Sequence, residues 1–140
     1  MNTQALNRDL ISLVEKKIEL SRLSYADAQY DEIEEQLHDL EDKFVDQYGD
    51  YLEQALEKVH TEYAIDSEVL LPIAYLANQY EKKGKPGDSI TIYEVSHEEG
   101  VWVETDKFPG KQVRLALVPN PTRIVLSAGP RYQEAVWQAS

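Results

Sequence analysis

Hydrophobic and polar positions follow two different rhythms along this chain. Up to about residue 82 the apolar side chains recur every three or four positions, and beyond Asp88 they alternate. The longest regular stretch is residues 30–63. There Tyr30, Ile33, Leu37, Leu40 and Phe44 fall within about 80° of one another on a helical projection. The stripe continues through Tyr48, Tyr51, Leu52, Ala55, Leu56, Val59 and Tyr63. One long helix is therefore expected, with Asp31 as its cap and Glu34 completing a capping-box-like pair. Gly49 interrupts the stretch. A straight or slightly bent helix is favoured over a hairpin turned at that glycine. The stripe crosses it without a turn sequence, whereas helix–helix connections usually take about 2–8 residues.

Residues 3 to about 22 predict a first amphipathic helix, with Leu6, Leu10, Leu13, Val14 and Ile18 on one face. Ser24 and Asp27 read as a second cap. Two facing stripes joined by a short connection predict an antiparallel helical hairpin. After a loop at 64–67, the segment EVLLPIAYLANQYEKKG is apolar all round. It predicts a buried helix over about 68–82, with Pro72 near its start. The stretch KGKPGDS reads as a linker.

Five short runs follow, at Ile90–Ser96, Val101–Thr105, Gln112–Val118, Thr122–Ala128 and Tyr132–Gln138. They are rich in β-branched and aromatic residues and are separated by Gly- and Pro-containing turns. An antiparallel meander of four or five strands is expected. Val113, Leu115 and Leu117 alternate with Arg114 and Ala116, and Ile124 and Leu126 with Arg123 and Val125. One face should therefore pack on the helices. The other carries Arg114 and Arg123, with Glu94, Glu104 and Glu134 as expected ion-pair partners. Trp102 and Trp137 read as core or edge cover. The fold class is α+β in a single domain, 1–140, with a helical part at 1–83 and a sheet part at 88–140.

Charge changes this picture. The net charge is −12, and residues 30–66 hold 13 acidic side chains against 2 basic ones. Nearly the whole excess therefore sits on the long helix, where it forms either a solvated outer face or a docking surface for a basic partner. Such a balance weighs against nucleic-acid binding, which needs clustered Lys and Arg. No apolar run approaches the roughly 18 residues that mark a membrane-spanning helix. The N-terminal residues lack signal-peptide character, so a cytoplasmic location is expected. The absence of cysteine removes disulfides, thiolate metal sites and cysteine nucleophiles.

Candidate chemistry is sparse. Two Glu-x-x-His units, Glu35 with His38 and Glu57 with His60, have the spacing used by di-iron carboxylate bundles. Taking Leu37 as zero, His38 falls near about 100°, Glu35 near about 160°, His60 near about 140° and Glu57 near about 200°. These angles lie beside or behind the apolar stripe, so solvated side chains are expected. Glu34, His38, Glu41 and Asp42 form a possible weak surface cation patch. Arg114 and Arg123, with Lys107, Lys111 and Arg131 close in sequence, form a possible anion site. No nucleophile elbow, P-loop or dinucleotide fingerprint is present. The leading expectation is a non-enzymatic protein-interaction or adaptor module. It needs no cofactor and engages a basic protein or a second copy of itself. The alternatives are a metal-binding protein or metal-dependent enzyme built on the Glu-x-x-His units, and an anion- or ligand-binding domain built on the sheet arginines.

Overall fold

The computed structural model describes residues 1–84 and 90–140. Helix α1 spans Thr3–Ser21 and helix α2 spans Tyr30–Glu62. A single 3-10 turn, Pro72–Tyr75, follows. The strands are β1 (Glu81–Lys83), β2 (Ile92–Glu94), β3 (Val101–Val103), β4 (Val113–Val118), β5 (Arg123–Ala128) and β6 (Gln133–Gln138). Strands β3-β4-β5-β6 form an antiparallel meander, and β1 and β2 form a separate antiparallel pair. The class is α+β, with an N-terminal helical hairpin and a C-terminal antiparallel sheet.

Helix α2 is continuous through Gly49 and runs for 33 residues, about 50 Å. Its start differs from the expected capping box. Gln29 occupies the cap position without a side-chain hydrogen bond, and Asp31 lies inside the first turn, where its charge favours the helix dipole. The Asp27 carboxylate accepts from the Ser24 backbone N–H at 2.8 Å, and the Asp27 N–H donates to the Ser24 carbonyl. That pair closes the turn between the helices and caps neither. On α1, Asn2 is the cap and accepts from the Ala5 N–H at 2.9 Å.

The apolar stripe of α2 serves two partners, and its direction changes where the partner changes. In the first half, Ile33, Leu37, Phe44 and Tyr48 are buried, and α1 packs along this half with Leu6, Leu10, Leu13 and Val14 in the same cluster. The Tyr48 hydroxyl donates to Asp9 across the hairpin. In the second half, Leu52, Ala55, Leu56, Val59 and His60 are buried, and Leu52 and Leu56 meet Pro72, Tyr75, Leu117 and Ile124. On a helical projection the buried arc turns by about 80° between the two halves.

The expected buried helix over 68–82 is replaced by an irregular segment that is buried only at Pro72, Tyr75, Leu76 and Ala77 and leaves Leu70 and Leu71 exposed. Residues before proline are pushed out of the α region, and Leu71 is extended accordingly, with ψ 142°; Leu76 on the far side has ψ 139°. Tyrosine hydroxyls, instead of helical carbonyls, satisfy several backbone groups. Tyr75 accepts from the Leu70 N–H, while Tyr80 accepts from the Ala77 N–H and donates to the Leu117 carbonyl at 2.8 Å. Leu76 pairs in parallel with Leu117 on β4.

The first of the five expected strand runs leaves the meander. Its core, β2, pairs with β1, with Lys82 opposite Tyr93. The expected linker at 83–89 therefore connects two paired strands; residues 85–89 of it lie outside the described set. The chain after β2 crosses the second face of the main sheet. Tyr93 and Val95 are buried, the Arg123 guanidinium donates to the Tyr93 carbonyl, and the Gln133 amide donates to the Val95 carbonyl. This explains why β4 and β5 are buried on both faces. Alternation in the sequence anticipated only the face toward α2. The β4–β5 turn is tied to α1: Asn7 Oδ1 accepts from the Asn120 N–H at 2.7 Å and from the Thr122 hydroxyl at 3.1 Å.

At Gly49, an added Cβ meets only the Val45 side chain, at 3.4 Å. Alanine has the space and the higher helix propensity, so Gly49→Ala should raise unfolding stability by about 0.5–1 kcal/mol. Urea denaturation reads this directly, and a loss of stability would mean that the backbone bends there.

Candidate functional site

The continuous path of α2 decides the fate of the Glu-x-x-His units. His38 and His60 sit 22 residues apart on one helix, about 33 Å in axial rise. Glu35, His38 and Glu57 are exposed. Within one chain the two units do not meet. Among the described residues, no group of three or more His, Asp or Glu side chains converges closely enough to hold a metal ion. That includes the surface patch at Glu34, His38, Glu41 and Asp42.

His60 departs from expectation. It is 8% exposed, with Nε2 buried and lacking a hydrogen-bond partner among the described residues. The rotation of the buried arc in the second half of α2 carries this position under the core, where the projection from Leu37 had left it outside. Burial pushes its pKa below the usual imidazole value, and a backbone hydrogen bond with Ser67 opposes that only in part.

Arg114 and Arg123 share a sheet face, as expected, but not a site. Arg114 stands opposite Ser127 and Arg123 opposite Val118, at the two ends of the β4–β5 ladder. Their separation is about 13 Å along the strands. The expected ion pairs with Glu94, Glu104 and Glu134 are replaced by backbone carbonyls. Arg123 donates to the carbonyls of Pro119, Pro121 and Tyr93 at 2.9, 3.1 and 2.6 Å. It is a half-buried staple, and desolvation weighs against its charge more than Glu94 supports it. Among the described residues Arg114 makes one bond, from Nη1 to the Gly100 carbonyl at 3.2 Å. Gly100 has φ +98°, and an added Cβ would lie 2.2 Å from the Leu115 carbonyl oxygen. Only glycine lets this turn approach β4 closely enough to present that carbonyl.

Around Arg114 lies a cleft of about 530 Å³, lined by His97, Glu98, Gly110, Lys111, Gln112, Arg114, Gly129 and Pro130. Sequence adjacency had pointed to Lys111, but not to His97. That residue arrives only because the 93–100 segment crosses this face. Trp102, expected as cover, is 61% exposed and stands directly opposite Arg114 on β3. Trp137 does cover an edge, packing edge-on against Tyr51 of α2 with ring centroids 5.8 Å apart.

A second cluster escaped the sequence reading. Glu134 on β6 accepts from the hydroxyls of Tyr63 and Tyr132 at 2.7 and 2.6 Å. Phe108 lies against both rings. The Glu134 carboxylate pushes the Tyr63 hydroxyl up to about 12. The two tyrosine hydroxyls hold the Glu134 carboxyl below its ordinary value. The cluster ties the C-terminal end of α2 to the edge of the sheet.

The acidic strip of α2 faces outward. Its twelve carboxylates, from Asp31 to Glu62, are exposed or half-exposed. Among the described residues none forms an ion pair with this chain's own Lys, Arg or His. The pairs present are Arg8–Asp9, Lys16–Glu19, Lys82–Glu15, Lys83–Glu81 and His97–Glu98.

Comparison with protein-family models, with curated proteins and with solved structures finds no match to this chain. Among the described residues, no helix is long and apolar enough to cross a membrane.

Two outcomes follow from this geometry. His60 is held neutral in the fold and has an ordinary pKa of about 6.5 when unfolded. Its contribution is therefore fully present above that pH and is lost as the pH falls below it toward the depressed folded value. Denaturation midpoints measured from pH 7.5 to 5 should fall, and His60→Gln should flatten that slope; an unchanged slope would place the sensitivity elsewhere. Gly100→Ala forces a positive φ on alanine and a clash with β4. It should destabilise by about 2 kcal/mol or more, and a near-neutral thermal melt would contradict the close approach.

Proposed function

We propose that this chain is a non-enzymatic protein-interaction module, and that it engages a basic partner through the outward side of α2. The observation that carries the reading is the uncompensated strip. Twelve carboxylates line one continuous helix, and none forms an ion pair within the described residues. Neighbouring like charges on a helix cost a few tenths of a kcal/mol per pair. A strip of this sign speeds encounter with a basic surface and fixes its orientation. It also repels phosphate backbones, so the partner in this reading is a protein and not a nucleic acid. The setting we assign is the cytoplasm.

Self-association is the second reading. The large apolar side chains left in solvent, Tyr25, Leu71, Ile90 and Trp102 among them, favour it. Light scattering separates the two: a stable dimer at low micromolar concentration supports the second.

The acidic-strip reading is tested with Asp39→Lys, Asp42→Lys and Asp46→Lys combined, all at exposed positions. Affinity for a partner isolated with the wild-type chain should fall by about tenfold or more, mostly through a slower association rate. Stability should stay level or rise as repulsion is relieved. Undiminished affinity that is also insensitive to salt would sink the reading.

A further inference from the structure

The cleft around Arg114 is independent of the acidic strip. Helix α2 packs on the sheet face that carries Leu117 and Ile124, and the register puts Arg114 on the opposite face. In a chain of net charge −12, this cleft gathers Arg114, Lys111 and His97 against one carboxylate, Glu98, whose oxygen lies 3.7 Å from His97 Nε2. Neither Arg114 nor Lys111 has a carboxylate partner among the described residues. A half-buried guanidinium without a counter-charge is costly unless something else supplies one.

We infer that the cleft binds a small organic oxyanion, a phosphate monoester or a carboxylate, through Arg114 and Lys111. The guanidinium is oriented before the ligand arrives. One of its donors is fixed on the Gly100 carbonyl, and the other N–H groups of the planar fork serve two oxygens of the ligand. Lys111 is steered by the bare backbone beside it: an added Cβ on Gly129 would lie 3.4 Å from its Cδ, so its stem runs alongside that glycine. The ammonium acts as a second, movable charge. His97 lines the same wall and adds a ring nitrogen to its polar groups. The volume of about 530 Å³ exceeds what a bare inorganic ion fills and falls within the usual range for small-molecule sites. The exposed indole of Trp102, next to Arg114 on the same face, offers a flat apolar surface for the ligand's body.

The test is a heteronuclear NMR titration of the full chain with phenyl phosphate, benzoate, inorganic phosphate and, as a neutral control, benzyl alcohol. Saturable shifts should appear at the amides of Gly110, Lys111, Gln112 and Gly129 with phenyl phosphate or benzoate. Whichever of the two binds more tightly identifies the headgroup. Inorganic phosphate should bind more weakly at the same amides, and benzyl alcohol should leave them unmoved. Arg114→Gln should weaken binding about tenfold to a hundredfold, the scale of a lost charged hydrogen bond. Lys111→Gln, at an exposed position, should weaken it severalfold without altering the fold and reads the same site if Arg114→Gln proves unstable. Trp102→Ala should reduce the preference for phenyl phosphate over inorganic phosphate. The inference is overturned if neither organic anion gives saturable shifts at millimolar concentration. Shifts that map outside the cleft, or binding that survives Lys111→Gln unchanged, would overturn it equally.

Discussion

One uninterrupted apolar stripe on α2 holds this protein together. Its first half is buried by α1 and its second half by the irregular 68–80 segment and the sheet. Removing the contacts of either half would leave that half solvated, and isolated helices are marginal in water even with good propensity. The stripe therefore sets the hairpin and the sheet in one frame. Asn7 against the β4–β5 turn, Glu15 with Lys82 and Tyr93, and Glu134 with Tyr63 lock that frame at its edges.

The same frame separates the two surfaces of opposite sign. Because the core consumes one flank of α2, its carboxylates are turned outward together. Because the 93–100 segment crosses the far side of the sheet, Arg114 and Lys111 are collected there beside His97. The polypeptide spends the buried Tyr75 and the half-buried Tyr80 on backbone groups of a segment that proline keeps out of a helix. These hydroxyls supply partners to the Leu70 and Ala77 N–H groups and the Leu117 carbonyl, which a helix or a ladder does not serve there.

Much of the scaffold was readable from the pattern of side chains. The two helices, the continuity through Gly49 and four strands of the meander follow from periodicity and turn residues, which are local signals. Three features were not local. The segment EVLLPIAYLANQY is apolar whether it forms a buried helix or an irregular core strap, and composition does not separate the two. The departure of β2 from the meander depends on β1, a three-residue run of charged side chains, EKK, that carries no strand signature. The burial of His60 depends on the turn of the core-facing arc along α2, which depends in turn on the sheet replacing α1 as its partner. For the candidate site, Arg114 and Lys111 stood out as basic residues in an acidic chain. The grouping with His97 and the exposure of Trp102 required the path of the chain over the second face.

The continuity of α2 is the claim on which all of this rests, and the absence of cysteine makes it directly measurable. Spin labels placed on cysteines introduced at the exposed positions Glu35 and Glu57 report the distance across Gly49 by pulsed electron spin resonance. A single narrow distribution centred at about 33 Å, allowing for label length, is the result the continuous rod requires. A short or bimodal distribution, as a hairpin folded at Gly49 would give, would contradict it.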